Sequence, residues 1–229
     1  NDAKAFNVGL LTYKLFLNLT KAENIIVTDT NIREGLILSM ISESKAEIQQ
    51  SFIYQVIASA KNLGKKYKYD EFHAKNVCKI ALQIYDVIEK ELGLEKHNRQ
   101  LLEIASILHD IGMFIRGSDH QLHSQYIILH SDIFGLSKDD MQIISLVAKY
   151  HRGIVPDQRD SSFTSLPRLE RVTVLKLAAI LRVADALDRS HSQKELEIST
   201  KIENDNLILS VHGVQSLNLE KIALAVTFW

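Results

Sequence analysis

The chain has 229 residues, of which 46% are hydrophobic and 24% charged, with a formal net charge of −1. Such proportions supply a full hydrophobic core and exclude intrinsic disorder. A charge this close to zero also argues against sequence-specific nucleic-acid binding, which draws on a strong basic excess. Residues 3–20 place Ala5, Val8, Leu11, Leu15 and Leu19 at helical spacing and predict an amphipathic helix. Ile25-Ile26-Val27, bounded by Asn24 and Asp29, predicts a short buried strand. Thr30 or Asn31 then caps a helix running through Leu36, Ile37, Met40 and Ile41. A helix–strand–helix section of this kind belongs to an α/β layer and cannot bury a core alone.

A polar stretch over 42–50 marks a boundary, and from about Ile48 to Arg189 the periodicity is almost wholly helical. Helices are predicted over 48–63, 70–92, 98–113, 119–132, 137–150 and 168–189. Cys78, the only cysteine, falls on the apolar pattern of the second of these and is expected to be a buried, inert thiol. The stretch from Arg152 to Pro167 holds both prolines and is predicted to be the longest loop. After Ser190, Leu196, Ile198 and Ile202 alternate with polar residues, as do Leu207, Leu209 and Val211. With Asp205-Asn206 between the two runs, a β-hairpin is predicted, and Leu219 to Val226 predicts a closing helix. The expected fold class is mainly α, a helical bundle with short α/β segments at both ends, divided at 1–43, 44–190 and 191–229. No apolar run approaches the roughly 18 residues of a membrane helix and no signal-peptide pattern opens the chain, so a cytoplasmic protein without a membrane partner is expected.

The chemistry centres on His109-Asp110, which ends the apolar run Leu101, Leu102, Ile104, Ala105, Ile107 and Leu108 and precedes Ile111-Gly112. A carboxylate at the buried end of a helix needs compensation, and a cation held by both residues would supply it. His73 starts another apolar helix, and Asp185 lies within the apolar stretch Leu177–Leu187. Arg182 and Arg189, at i−3 and i+4 from Asp185, offer it the alternative of a helical ion pair. His120 is expected in a loop or at the surface, and His97, His130, His191 and His212 are expected to be exposed without partners. Lys65-Lys66 and Lys68, beside Tyr67 and Tyr69, form a basic run expected to be a solvated loop.

His73, His109-Asp110 and Asp185 resemble the H…HD…D signature of the HD superfamily of metal-dependent phosphohydrolases. The likeness continues through His123-Ser124-Gln125-Tyr126-Ile127-Ile128-Leu129, Gly135-Leu136-Ser137 and Lys149-Tyr150-His151-Arg152. Together with Leu181-Arg182-Val183-Ala184-Asp185-Ala186-Leu187-Asp188-Arg189, these segments resemble the helical C-terminal HD domain of the exopolyphosphatase and guanosine pentaphosphate phosphatase (Ppx/GppA) family. Upstream, Ile25-Ile26-Val27-Thr28 and Arg33-Glu34-Gly35-Leu36 resemble the end of that family's second actin-like domain.

The resemblance implies a phosphoric anhydride hydrolase acting on polyphosphate or guanosine pentaphosphate in a cleft between two actin-like lobes. The glycine-rich phosphate loops of those lobes are not recognisable here, so the main active site is expected outside these residues. The resemblance further implies a divalent-metal site formed by His73, His109, Asp110, His123, His151 and Asp185, with Asp110 bridging two metals, and phosphate contacts from Arg152, Arg182 and Arg189. Mixed imidazole and carboxylate ligation does not distinguish Mg, Mn, Fe, Zn, Co or Ni. Such a pair of metals would clamp a phosphoryl oxygen and activate water for in-line attack on phosphorus. The family likeness also implies a homodimer. Two alternatives stand beside the anhydride hydrolase: a metal-dependent phosphodiesterase in the HD site, and a non-catalytic regulatory or dimerising module that binds polyphosphate or nucleotide. Met113 replaces a lysine that often follows His-Asp-x-Gly, which removes one phosphate contact. Gly153-Ile154-Val155-Pro156 departs from the glycine-tyrosine-proline sequence of HD-GYP enzymes, so cyclic-di-GMP cleavage is not expected.

Overall fold

The computed structural model describes residues 2–20, 45–191, 197–204, 206–212 and 221. The predicted strand over 25–27, the helix through Met40 and all of the closing helix except Lys221 lie outside the described residues. Two compact units are present, Asn1–Gln49 and Gln50–Trp229. The first contains α1 (Asp2–Thr20), which matches the helix predicted there.

From Lys45 onward the helices follow the predicted pattern with shifted ends. They are α2 (Lys45–Lys66), α3 (Glu71–Ile88), α4 (Lys96–Leu108), α5 (His120–Leu129), α6 (Lys138–Lys149), a one-turn α7 (Ser161–Thr164) and α8 (Arg168–Leu187). The fold is mainly α, and among the described residues the sheet is a single pair of strands. None of the described helices is long and apolar enough to cross a membrane.

Local chemistry explains the ends. The Asp70 carboxylate accepts from the backbone N–H groups of Phe72 and His73, capping α3 and fixing the turn that carries His73. Ser137 and Asp140 form a reciprocal capping box at the start of α6. The helix predicted over 98–113 stops at Leu108, and a 3₁₀ turn, Ile111–Phe114, follows His109-Asp110. The apolar pattern continues through this break because Ile111 is buried too, which is why periodicity alone overran it.

The core lies where α3, α4, α6 and α8 meet. Ile80, Ile84 and Tyr85 from α3 pack with Leu101, Leu102, Ile104 and Leu108 from α4. Ile144, Leu146 and Val147 from α6 and Leu177 and Leu181 from α8 complete it. The loop between α3 and α4 is held by the Tyr85 hydroxyl, which donates to the Glu95 carbonyl at 2.6 Å, and by Lys176, which donates to the Leu92 carbonyl. Cys78 is half-buried on α3, and burial pushes its thiol up to about 12, the inert state expected of it.

The hairpin pairs β1 (Glu197–Glu203) with β2 (Asn206–His212) antiparallel, from Glu197 opposite His212 to Glu203 opposite Asn206. Asn206 is therefore paired, and the turn is one residue earlier than predicted, with Asn204 in the left-handed region at φ 49°. Ile198 with Val211 and Thr200 with Leu209 form one face, and β1 lies against α3, where the Thr200 hydroxyl donates to the Gln83 carbonyl at 3.3 Å.

The segment predicted to be the longest loop is interrupted by α7 and organised by Asp160. One carboxylate oxygen takes hydrogen bonds from Lys149 (2.6 Å) and the Tyr150 hydroxyl, and the other accepts from the Ser162 backbone at 3.1 Å. Burial opposes ionisation of Asp160, but these donors outweigh it and lower its pKa. Because the folded pKa is depressed, the resulting stability is present above the unfolded value of about 4 and is lost as pH falls through the folded value. Asp160→Asn is expected to cost about 1.5–3 kcal/mol at neutral pH. In urea titrations the gap from wild type should close below about pH 4; a gap independent of pH would contradict the charged role.

Candidate metal centre

Five chain segments end at one place in the second unit. The first turn of α3 brings His73, the end of α4 brings His109 and Asp110, and α5 starts with His120. The chain leaving α6 brings His151, and the last turn of α8 brings Asp185, with Asp188 just beyond. His73, His109, His120, His151, Asp185 and Asp188 are buried.

Every one of these imidazoles has its Nδ1 engaged away from the centre. His109 Nδ1 donates to the Ser106 carbonyl at 2.8 Å, His120 Nδ1 to the Gly117 carbonyl at 3.0 Å and His151 Nδ1 to the Ala148 carbonyl at 2.5 Å. His73 Nδ1 meets the Asp188 carboxylate at 2.8 Å, which Asn76 steadies on its other oxygen at 3.4 Å. A carbonyl only accepts, so in a neutral ring the hydrogen resides on Nδ1 and the Nε2 lone pair points inward. Those Nε2 atoms face one another in pairs, His73 to His109 at 3.2 Å and His120 to His151 at 3.3 Å. Opposed lone pairs repel unless a proton or a metal ion lies between them.

The carboxylates join the two pairs. Asp110 Oδ2 lies 3.8 Å from His73 Nε2 and 3.6 Å from His109 Nε2, while its Oδ1 lies 3.0 Å from His120 Nε2 and 3.4 Å from His151 Nε2. Asp185 Oδ1 approaches His73 and His109 at 3.4 and 3.7 Å. Donor atoms about 2.1 Å from a common centre stand about 3.0–3.4 Å apart at right or tetrahedral angles, close to these spacings. Asp110 Oδ1 is buried between the Nε2 atoms of His120 and His151 and receives no hydrogen from those rings when their hydrogens reside on Nδ1, as suits an oxygen facing a cation. The donors fit a divalent metal: His73, His109 and Asp185 form one candidate group, and His109, Asp110 and His151 another.

The charges of the cluster are mutually dependent. Burial alone would raise Asp110, but His109, His120 and His151 outweigh it and hold its carboxyl well below the usual range. Asp185 is likewise opposed by burial and lowered by His109 and His73. Burial disfavours a charged His73, yet Asp185 and Asp188 outweigh it and raise the ring to about 9. His151 is lowered by burial despite Asp110 beside it. The anions thus draw positive charge into the centre, and Arg189 supplies part of it by gripping Asp185 Oδ2 at 2.8 Å.

Two expectations from the sequence are corrected. His120, expected at the surface, faces Asp110 and His151; His123, expected in the cluster, is half-buried and not among the converging groups. Helical geometry explains the exchange, because His120, Ser124, Ile127 and Ile128 form the buried face of α5 and His123 lies at its edge. The i, i+4, i+7 spacing of those residues was a signal for His120 in the sequence itself. Asp188 and Ser106 were missed as supports of His73 and His109, since both depend on contacts formed only in the fold.

The other histidines also have neighbours. His97 meets Asp140 at 2.6 Å, His130 stacks on Tyr126, His212 lies 3.2 Å from the Ser199 hydroxyl and His191 stacks on His73. Arg182, one of the two arginines spaced to pair with Asp185, reaches backbone carbonyls. It is buried, with Nη1 donating to the Tyr150 and Ile154 carbonyls at 3.2 and 3.3 Å, and so secures the turn that carries His151. Arg152 is exposed beside that turn.

With this geometry in place, the likeness to known proteins is specific. Residues 57–226 match the family described as Ppx/GppA phosphatase, domain III. The chain belongs to the Ppx/GppA family. It is 27% identical over 213 residues to a guanosine-5'-triphosphate,3'-diphosphate pyrophosphatase of Vibrio vulnificus, covering 91% of this chain and 40% of that protein. Proteins of the same name from Vibrio campbellii and Aliivibrio fischeri are 28% and 26% identical, over 79% and 92% of this chain and 34% and 40% of theirs. The chain thus spans about a third to two-fifths of the length of these Ppx/GppA relatives.

Gly112 makes the centre possible within this domain. A β-carbon there would lie 2.1 Å from the His120 carbonyl oxygen and 2.4 Å from the Ser124 nitrogen, so the start of α5 could not approach. The Gly112 N–H also donates to the Ser124 hydroxyl at 2.9 Å. Gly112→Ala is expected to destabilise the protein by about 1–3 kcal/mol in urea denaturation. Gly117→Ala, whose added carbon meets only Met113 Cε at 3.9 Å, should stay near wild type. Equal stability of the two variants would refute the close-approach role.

Proposed function

We propose that the protein is a phosphohydrolase cleaving phosphoanhydride bonds of guanosine pentaphosphate or polyphosphate, and that its helical domain contributes a divalent-metal site. The observation that carries this reading is the match of residues 57–226 to domain III of the Ppx/GppA phosphatases, whose relatives of similar sequence are named pyrophosphatases. The sequence holds no recognisable glycine-rich phosphate loop. Anhydride cleavage is therefore assigned to the actin-like lobes that the family resemblance places before this domain.

Within the helical domain, His73, His109, Asp110 and Asp185 would hold one cation, and Asp110, His120 and His151 a second. A bound divalent cation supplies Lewis-acid polarisation of a phosphoryl oxygen. The ligand types accept several metals without choosing among them. Arg152, exposed next to His151, is the guanidinium available to a phosphate at the mouth. Arg189 already shares Asp185, and Arg182 is turned into the protein. A second reading, phosphoester hydrolysis at the helical centre itself, is favoured by one observation: the two oxygens of Asp110 face separate donor groups, as in a two-metal clamp.

Metal content and activity distinguish the readings. After loading with Mn²⁺, Asp110→Ala is expected to abolish metal uptake measured by mass spectrometry. His120→Ala should lower uptake, whereas His123→Ala should leave it at the wild-type level. Phosphate release from polyphosphate and guanosine pentaphosphate, assayed in the complete natural chain, should survive Asp110→Ala if cleavage resides in the lobes. Parallel loss of metal and hydrolysis would move the chemistry into the helical centre.

A further inference from the structure

We infer that His191 is an exchangeable outer ligand of the first metal position, an inference that rests on the metal reading of the cluster. The residue follows α8, three positions beyond Asp188, where its N–H donates to the Asp188 carbonyl at 3.1 Å. Its backbone is left-handed, with φ 45°, a conformation that a non-glycine residue keeps only when its surroundings hold it there. Two contacts do so. The ring stacks on His73, with centroids 3.8 Å apart and planes inclined by 19°, and Nδ1 lies 3.4 Å from the Asp70 carboxylate. That carboxylate also caps the turn of α3 that presents His73.

The placement brings a ring nitrogen of His191 within 4.8 Å of donor atoms of both His73 and Asp110. The difference from the other donors is access. His73, His109 and Asp185 are buried, whereas the His191 side chain is 40% exposed and enters from the solvent side. A metal held by the buried donors would leave its solvent side to an outer ligand, as catalytic metal sites do. His191 is the imidazole on that side. Its position on a short turn after α8, rather than within the helix, lets it engage or leave without disturbing Asp185, Asp188 or Arg189. The end of α8 thus delivers Asp185 to the interior, and the turn after it delivers a further ligand at the surface.

Co²⁺ tests this directly, because its visible absorption bands report the number and kind of ligands. The protein would be loaded with Co²⁺, and its spectrum and rate of metal loss to a chelator compared with those of His191→Ala and His191→Asn. The asparagine variant retains a residue that tolerates the left-handed backbone, so a folding defect in the alanine variant does not decide the outcome. The exposed His97→Ala serves as a control. Both His191 variants are expected to shift the visible bands and to lose metal about tenfold faster or more. Added imidazole should restore the bands in His191→Ala. Spectra and loss rates indistinguishable from wild type would overturn the assignment of His191 while leaving the buried centre intact. Failure of the wild-type protein to take up Co²⁺ would overturn the metal reading itself, and this inference with it.

Discussion

Asp110, Asp185 and Asp188 gather their negative charge inside a helical domain, and the arrangement around them answers the cost of that charge. An ionised carboxylate away from water is tolerated only when paired and hydrogen-bonded. Asp188 is satisfied by His73 and Asn76, and one oxygen of Asp185 by Arg189. The remaining oxygens of Asp110 and Asp185 look onto imidazole nitrogens whose hydrogens are committed to backbone carbonyls or to Asp188. This is a pocket of nitrogen and oxygen donors at metal-ligand spacing, and a cation would engage the inward lone pairs that neutral imidazoles leave. The carboxylate–histidine contact at Asp188 does for His73 what outer carboxylates do at metal centres generally: it fixes the ring and strengthens the inward nitrogen as a donor.

A helical bundle is well suited to building such a centre. Side chains at helix ends escape the crowding of the packed interior, and the terminal carbonyls left without helical partners are available to orient imidazoles. The Ser106 and Ala148 carbonyls, near the ends of α4 and α6, bind His109 and His151 in this way. Close packing then transmits precision to the cluster. Gly112 admits the backbone of α5, Arg182 ties down the Tyr150–Ile154 turn, and Asp160 secures the loop beyond it. These supports lie outside the cluster, yet each governs where one of its donors points.

The placement of chemistry in the family gives this centre its interest. Domain III carries a concentrated set of nitrogen and oxygen donors, while the sequence holds no recognisable phosphate loop. An acidic, histidine-rich interior is poorly suited to attracting a polyanion by charge alone, since Asp110 and Asp185 remain ionised. With divalent cations bound, the sign of the local field reverses and the exposed Arg152 reinforces it. On the proposed metal reading, any affinity for phosphate groups would depend on metal occupancy.

Much of this was legible in the residues themselves. Helical periodicity located α1 to α6 and α8 within a few residues, because amphipathic stripes survive any tertiary arrangement that buries them. The resemblance carried by His73, His109-Asp110 and Asp185 marked residues that the fold brings together, although they are separated by up to 112 positions in the chain, from 73 to 185. The sequence by itself therefore determined the helices and the family, and it marked most of the residues that converge. Only the tertiary structure decided which face of α5 turns inward, and so that His120 rather than His123 meets Asp110. It alone turned Arg182 toward backbone carbonyls, placed Asp188 behind His73 and folded His191 over it. Those outcomes depend on the angle at which each helix meets its neighbours, and a one-residue rotation of about 100° is enough to exchange a ligand for a bystander.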